Sequence, residues 1–163
     1  MPGLLSEKAE KLVSLAKDKH LTLGTAESCT GGMIGAVLTS VSGASAVFWG
    51  GIISYDNSIK ENVLGVKKET LATVGAVSEE CALQMARGAC RALDTDLAVS
   101  VTGIAGPTGG TPKKPVGTVF IAVAGRNGTA FCTENHFLGD RDMVRAQTVE
   151  KALVLLTEAV ENA

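Results

Sequence analysis

Hydrophobic positions recur at two spacings along the chain, and these spacings predict alternating helices and strands. Apolar residues follow helical spacing in 5–19 and most clearly in 79–93, where alanine, methionine and cysteine share one face. Short apolar runs bounded by glycine or polar residues predict buried strands. The predicted helices cover residues 5–19, 30–41, 59–64, 67–74, 79–93 and 139–161, and the predicted strands cover residues 21–27, 47–55, 97–104, 117–124 and 129–137.

The connections between these elements predict the strand directions. Helices separate the first three strands, which indicates parallel neighbours joined by right-handed crossovers. A loop rich in glycine and proline, 105–115, follows the third strand, so the fourth strand is expected to run antiparallel. The turn at 126–128 contains Asn-Gly and predicts a hairpin that returns the fifth strand to the parallel direction. We therefore expect an α/β fold with a mixed, mostly parallel five-stranded sheet between helix layers.

Polar residues follow each of the first three predicted strands. Ser28 follows the first strand, residues 55–57 end the second, and residues 102–103 end the third. In open α/β sheets, ligands bind beyond the carboxyl ends of the parallel strands. The three polar groups are therefore expected to meet at one edge of the sheet and to form a site.

The segment 24–32 carries the candidate nucleophile of this site. Ser28 lies just before a predicted helix, which Thr30 can cap, and Gly31 and Gly32 allow close approach of a ligand. Unpaired amides in the first turn of that helix would favour an anion. The alternative is an ordinary strand–helix turn in which Ser28 only makes turn hydrogen bonds, because the segment matches neither common glycine-rich phosphate motif.

Lys60 is the candidate base for Ser28. It lies one helical turn beyond residues 56–57, near the same sheet edge. A neutral lysine can deprotonate serine once burial or a neighbouring cation has lowered its reference pKa of about 10.4. The alternative is a solvated helix lysine. His136, at the end of the fifth strand, is a weaker candidate base.

Further residues at this edge are candidates for support or binding. Tyr55, the only tyrosine, can bridge Ser28 and Lys60, hold substrate, or simply cover the sheet edge. The backbone amides that follow Thr102 can cradle an oxyanion or a phosphate, although glycine alone can shape such a turn. Arg141 can pair with phosphate, with a surface arginine as the alternative. The candidate substrate-binding residues are Thr30, Gly31, Gly32, Asn57, Thr102, Gly103, Ala105, Gly106 and Arg141.

Composition narrows the class of protein. The 163 residues are 45% hydrophobic and 20% charged, which is typical of a single globular domain spanning 1–163. A net charge of −2 without a basic block disfavours nucleic-acid binding. No apolar run is long enough for a bilayer, and residues 1–11 lack the apolar core of a signal peptide, so we expect a cytoplasmic protein. The spacing of the four cysteines and two histidines predicts no metal site.

Five motifs occur in an order that resembles a known family. They are TAESCTGG (25–32), GG-x-x-SY-x-N-x-x-K (50–60), GAVSEE (75–80), VTGIAGPTGGTPKKPVGTV (101–119) and GDR (139–141). Together they resemble the C-terminal domain of the competence/damage-inducible protein CinA. Stand-alone members of that family are bacterial nicotinamide mononucleotide deamidases. Larger members carry an additional N-terminal domain, whose activity is not expected of this chain.

The resemblance implies hydrolysis of the carboxamide of nicotinamide mononucleotide, giving nicotinic acid mononucleotide and ammonia. It places the nucleophile on Ser28, the base on Lys60 and supporting roles on Tyr55, Thr102 and Arg141. It further implies a three-layer α/β/α fold, a homo-oligomer, and neither a metal nor an organic cofactor. The alternatives are a non-catalytic mononucleotide-binding module and a competence- or DNA-damage-associated interaction domain.

A third alternative concerns the nucleophile itself. Cys29 lies next to Ser28 and is a rival nucleophile, which would make the protein a cysteine-dependent amidase. Apart from the helix start, however, it has no evident cationic neighbour to stabilise a thiolate, so Ser28 is the preferred assignment.

Overall fold

Helices and strands follow one another in the order that the hydrophobic spacing predicts. The computed structural model describes residues 3–163. The helices are α1 (Leu4–Asp18), α2 (Met33–Thr39), α3 (Asn57–Asn62), α4 (Lys68–Thr73), α5 (Glu79–Leu93) and α6 (Arg141–Glu161). The strands are β1 (Leu23–Glu27), β2 (Phe48–Ile53), β3 (Leu97–Gly103), β4 (Thr118–Gly125) and β5 (Ala130–His136).

The five strands form one mixed sheet in the order β2-β1-β3-β4-β5. Strand β1 pairs in parallel with β2 and with β3, and β4 is antiparallel to both of its neighbours. The predicted sheet, including the antiparallel fourth strand, is confirmed. The register places Glu27 of β1 opposite Ile53 of β2 and Val101 of β3. Strands β1 and β2 therefore end side by side, and β3 continues past them to Gly103.

Helices cover both faces of the sheet, which confirms the three-layer arrangement. Helices α1, α2 and α6 pack on one face, where Val99 and Val101 of β3 join their core. Helix α5 packs on the other face against smaller side chains such as Ala98 and Ala122. The alternation of β3 between valine and small residues decides which helix covers which face, because successive side chains of a strand point to opposite sides.

Side-chain caps set where several helices begin. Ser78 Oγ accepts from the amide of Cys81 and starts α5 where the sequence predicts it. Asp140 Oδ1 accepts from the amide of Met143 at the start of α6. Asp56 caps α3 by accepting from the amide of Ser58, so this helix begins earlier than predicted. Aspartate side chains thus fix where α3 and α6 begin.

Helix α2 begins at Met33 because the carboxylate of Glu27 binds its first turn. Glu27 Oε1 accepts from Thr30 Oγ1 at 2.6 Å and from the amide of Ile34, and Oε2 accepts from the amide of Gly35 at 3.0 Å. The predicted cap by Thr30 is wrong, because its hydroxyl donates to Glu27 and Gly32 occupies the cap position. The prediction of unpaired amides in the first turn is also wrong for Ile34 and Gly35, because both amides donate to Glu27.

A single glycine of α5 allows this helix to pack closely against the segment between α3 and α4. A Cβ at Gly88 would overlap the carbonyl oxygen of Leu64. We predict that Gly88→Ala destabilises the fold by about 1–3 kcal/mol, since overpacking against backbone outweighs the gain of about 1 kcal/mol in helix propensity. The free energy of unfolding from urea titration measures this.

Gly35→Ala is the matched control in α2. A Cβ at Gly35 meets only ordinary contacts, the nearest at 3.5 Å. Helix propensity then acts alone, and this variant is expected to be at least as stable as the wild type. Equal effects of the two alanine substitutions would contradict the proposed overlap at Gly88.

Candidate active site

Ser28 and Lys60 meet at the carboxyl edge of the sheet. Ser28 directly follows β1, and Lys60 lies on α3, which follows the neighbouring strand β2. Lys60 Nζ is 3.0 Å from Ser28 Oγ, within hydrogen-bond distance. The level ends of β1 and β2 bring these two side chains together across 32 residues of sequence.

The amine of Lys60 is buried without an acidic partner. The side chain is 1% exposed, and Nζ donates to the carbonyl oxygens of Ser54 at 2.7 Å and Tyr55 at 3.1 Å. Among residues 3–163, no carboxylate lies within ion-pair distance of it. Burial lowers the pKa of Lys60, and the opposing effect of nearby Asp56 is smaller. Lys60 is therefore not a solvated helix lysine.

The contacts of Lys60 suit a base that gains and loses a proton. A neutral amine has two N–H groups and one lone pair. The two carbonyl oxygens take the N–H groups, and the lone pair faces Ser28 Oγ, which can donate its proton. The ammonium form has three N–H groups for the same three oxygens. Both protonation states are therefore satisfied without moving a side chain.

The turn after Ser28 is held from two sides. The amide of Ser28 donates to Val101 on β3, and the amide of Gly31 donates to the carbonyl of Ser28, each at 3.1 Å. From α6, Arg145 donates through Nε to the carbonyl of Cys29 and through Nη2 to that of Thr30, both at 3.1 Å.

Sequence reasoning missed Arg145 and the buried carboxylate of Glu27. Arg145 lies four residues after Arg141, so the two arginines share one face of a helix, and that spacing was a usable signal. Nothing in the local sequence distinguishes Glu27 from a solvated strand-end residue.

The loop after β3 forms the opposite wall. Arg141 Nη1 donates to the carbonyl of Gly106 at 2.8 Å. Thr102 Oγ1 donates to the carbonyl of Ala76, so that hydroxyl already has an acceptor. Within the described part of the chain, the amides of Ala105 and Gly106 have no acceptor. This wall therefore offers unused backbone donors.

A cleft of about 310 Å³ lies between the two walls. Nine of the predicted residues line it: Ser28, Tyr55, Asn57, Lys60, Thr102, Gly103, Ala105, Gly106 and Arg141. Cys29, Ala76, Val77, Ile104, Thr108 and Gly109 complete the lining. The structure does not bring Thr30, Gly31 or Gly32 into the cleft, since they belong to the turn behind Ser28.

Tyr55 contributes its backbone to the Ser28–Lys60 pair. Its side chain is 64% exposed, and within residues 3–163 its hydroxyl has no hydrogen-bond partner, although its carbonyl accepts from Lys60. The ring therefore stands at the mouth of the cleft, where it can contact a ligand.

The rival nucleophile and the rival base are placed less favourably. Cys29 is buried, and burial raises the pKa of its thiol to about 12, so the thiolate is scarce at neutral pH. His136 is exposed, lies 3.2 Å from Glu134, and does not line the cleft. The geometry therefore favours Ser28 and Lys60.

Two further properties concern the described residues 3–163. No three histidine, cysteine, aspartate or glutamate side chains cluster there as ligands for a metal ion. None of the helices in this range combines the length and the apolar character needed to cross a membrane.

Comparison with known sequences identifies the relatives of this chain. The profile of the CinA C-terminal domain matches residues 5–160. A CinA-like protein of Thermotoga maritima is 47% identical over 152 residues, which is 93% of this chain. A CinA-like protein of Leptospira borgpetersenii is 47% identical over 153 residues. The chain spans 37% of the length of each of these relatives.

Solved structures agree in fold over nearly the whole chain. The competence/damage inducible protein CihA from Agrobacterium tumefaciens superposes with a TM-score of 0.95 at 44% identity, covering 99% of this chain and 98% of its own. A CinA superfamily protein from Escherichia coli gives 0.90 at 33% identity, covering 94% and 90%. From its sequence and fold together, the chain belongs to the CinA C-terminal domain family.

Proposed function

We propose that this protein is an amidohydrolase that converts nicotinamide mononucleotide and water to nicotinic acid mononucleotide and ammonia. The observation that carries the proposal is the contact between Ser28 Oγ and the amine of Lys60. This amine is buried, and among residues 3–163 no carboxylate lies within ion-pair distance of it. A lysine in this environment is a base of lowered pKa beside a nucleophile. The family resemblance of the motifs supplies the substrate.

The first half of the reaction acylates Ser28. Lys60 Nζ takes the hydroxyl proton while Ser28 Oγ attacks the carboxamide carbon, and the carbonyl oxygen becomes an oxyanion. Lys60 then returns the proton to the nitrogen as the C–N bond breaks and ammonia leaves. The product is an ester between Ser28 and the nicotinoyl group.

The second half hydrolyses that ester. Lys60, neutral again, takes a proton from water as the water attacks the ester carbon. The tetrahedral intermediate collapses with Ser28 Oγ as leaving group, and Lys60 gives it the proton. Atoms and charges balance without a metal ion or an organic cofactor, and the protein returns to its starting state.

Backbone amides are the proposed oxyanion donors. The Cys29 amide follows the nucleophile directly, belongs to a residue that lines the cleft, and donates to no other residue within residues 3–163. An amide in this position is the usual first donor of an oxyanion hole. The free amides of Ala105 and Gly106, on the opposite wall, serve the oxyanion or the phosphate.

The charges of the substrate fit the cleft. Its cationic pyridinium ring withdraws electrons from the carboxamide, and its charge near Lys60 favours the neutral amine. Arg141 and the free amides of the glycine-rich loop can receive the phosphate. The cleft volume lies at the lower end of the range for ligand sites. We further propose a homo-oligomer that works in the cytoplasm without nucleic acid.

Removing either member of the pair should abolish ammonia release. We expect Ser28→Ala and Lys60→Met each to lower the rate with nicotinamide mononucleotide by at least about 10³-fold, because both act in one proton-transfer unit. The double variant should be no slower than the worse single variant. Coupled detection of ammonia measures the rates.

Lys60→Met also serves as the folding control. Methionine fills similar space without a buried amine, so this variant should unfold at a urea concentration no lower than the wild type. Activity retained in Lys60→Met would overturn the assignment of the base. Thermal stabilisation of the wild type by the mononucleotide without ammonia release would favour the binding-module alternative.

The pH profile should report the lowered pKa of Lys60. The rate is expected to rise with pH as Lys60 loses its proton, with a midpoint below the ordinary lysine value of 10.5. The unfolded chain holds this proton up to pH 10.5, whereas the folded chain releases it earlier. The stability of the wild type relative to Lys60→Met should therefore rise with pH between these two pKa values. A rising limb with its midpoint at or above 10.5, or a rate independent of pH over the whole range in which the protein stays folded, would contradict the assignment.

Cys29 should be dispensable for the chemistry. Its thiol is buried and protonated, so iodoacetamide treatment should leave wild-type activity unchanged, and Cys29→Ala should keep most of it. Loss of activity on alkylation, together with an active Ser28→Ala variant, would instead select the cysteine-dependent amidase. Mass spectrometry of the treated protein locates any modified thiol.

A further inference from the structure

We propose that Arg145 is a positioning residue for the reaction of Ser28 and acts through the backbone of the turn that follows Ser28. The inference rests on the proposed amidohydrolase function for its reaction and on two contacts of Arg145 with the backbone of this turn. Arg145 itself does not line the cleft, so it is not a substrate ligand. Its guanidinium instead joins two successive carbonyl groups, those of Cys29 and Thr30.

The two contacts use the shape of a guanidinium. Nε and Nη2 donate in one plane to oxygens of adjacent residues, each at 3.1 Å. A lysine ammonium has no such rigid fork and cannot reproduce both contacts in this geometry. Arg145 is half-buried on α6, which limits competition by water for these carbonyl groups. The turn is therefore tied to the longest helix of the described chain.

The peptide groups of the turn form a relay from Arg145 to the nucleophile. Arg145 donates to the Thr30 carbonyl, and the N–H of the same peptide, on Gly31, donates to the Ser28 carbonyl. The Ser28 carbonyl and the N–H of Cys29 belong to the next peptide group of this series. This N–H donates to no other residue within residues 3–163. In a trans peptide, N–H and C=O point in opposite directions, so each contact orients the next donor. The relay ends at the proposed oxyanion donor.

A cation at the start of such a relay strengthens the donor at its end. Hydrogen bonds in series polarise one another, and the turn is largely buried, which limits screening by water. Arg145 thus both orients the Cys29 amide and increases its positive character. Arg141, one helical turn earlier, binds the opposite wall at Gly106, so α6 also fixes the separation of the two walls.

The role is distinct from an effect on the base. The groups that shift the pKa of Lys60 are its own burial, Asp56 and two cysteines, and Arg145 is not among them. Loss of Arg145 should therefore lower the rate of the chemical step without changing the midpoint of the rising limb of the pH profile. An unchanged midpoint would distinguish a positioning role from a change in the protonation of the Ser28–Lys60 pair.

The test compares Arg145→Ala and Arg145→Lys with the wild type on nicotinamide mononucleotide. We expect kcat to fall about 10²-fold in both variants with little change in KM, because the lost interaction acts mainly in the transition state. The midpoint of the rising pH limb should stay in place. Millimolar guanidinium, but not ammonium, should restore part of the activity of Arg145→Ala.

Arg91→Ala is the matched control. Arg91 is an exposed arginine that also donates to a backbone carbonyl, that of Leu64, and it does not line the cleft. It should keep wild-type kinetics. Wild-type kcat in Arg145→Ala, a raised KM at unchanged kcat, or an upward shift of the pH limb would each overturn the positioning role.

A substrate-independent readout separates this proposal from the proposed function. The rate at which a fluorophosphonate labels Ser28, followed by intact mass, depends on the nucleophile and the oxyanion donors and not on the mononucleotide. Slower labelling of Arg145→Ala than of Arg91→Ala supports the relay, and equal rates overturn it. If wild-type protein is labelled at Ser28 but releases no ammonia from the mononucleotide, the proposed substrate is wrong and the labelling rates alone decide the role of Arg145.

Discussion

The buried amine of Lys60 is the constraint on which the rest of the site depends. Burying a charge without a counter-charge destabilises a protein. The protonated form of Lys60 therefore lowers the free energy of unfolding, and the neutral form avoids this cost. Two main-chain carbonyls and one hydroxyl satisfy the amine, and all three come from the ends of β1 and β2. A carboxylate at this position would hold the proton on the amine and remove its basicity. Because its hydrogen-bond acceptors are neutral, the amine of Lys60 can lose its proton and act as a base.

The sheet supplies the accuracy that this arrangement needs. Parallel pairing in register sets the ends of β1 and β2 level, and a shift of β1 by one residue would move Ser28 away from Lys60 and reverse every side chain of β1. Glu27 then fixes the exit from β1 by binding the first turn of α2. The geometry of the Ser28–Lys60 pair thus depends on backbone pairing and on one buried carboxylate, and helix α6 contacts both walls through Arg145 and Arg141.

Much of this architecture could be predicted from the sequence because it follows local patterns. Hydrophobic spacing and the missing helix between β3 and β4 were sufficient for the strand directions, and helix α5 was predicted with the bounds that the structure has. The start of α2 was predicted wrongly, since the decisive contact is made by Glu27 from the preceding strand, and capping rules consider only the residues next to a helix. Arg145 was missed although it lies four residues after Arg141, because its partners are carbonyl groups more than a hundred residues away, which no residue type marks in a sequence.

The carboxylate of Glu27 occupies the start of α2, which limits what this end of the helix can bind. Because Glu27 takes the amides of Ile34 and Gly35, these two groups cannot bind a ligand's phosphate, and the wall that carries Ser28 keeps the Cys29 amide, which we propose as the oxyanion donor. In the proposed reaction, binding of the phosphate therefore falls to the loop after β3 and to Arg141, which joins α6 to that loop at Gly106. Under the proposed function, the wall of Ser28 carries the reacting groups and the loop after β3 carries groups that recognise the ligand. We therefore expect that exchanging this glycine- and proline-rich loop would change which amide is accepted, with Ser28 and Lys60 unchanged.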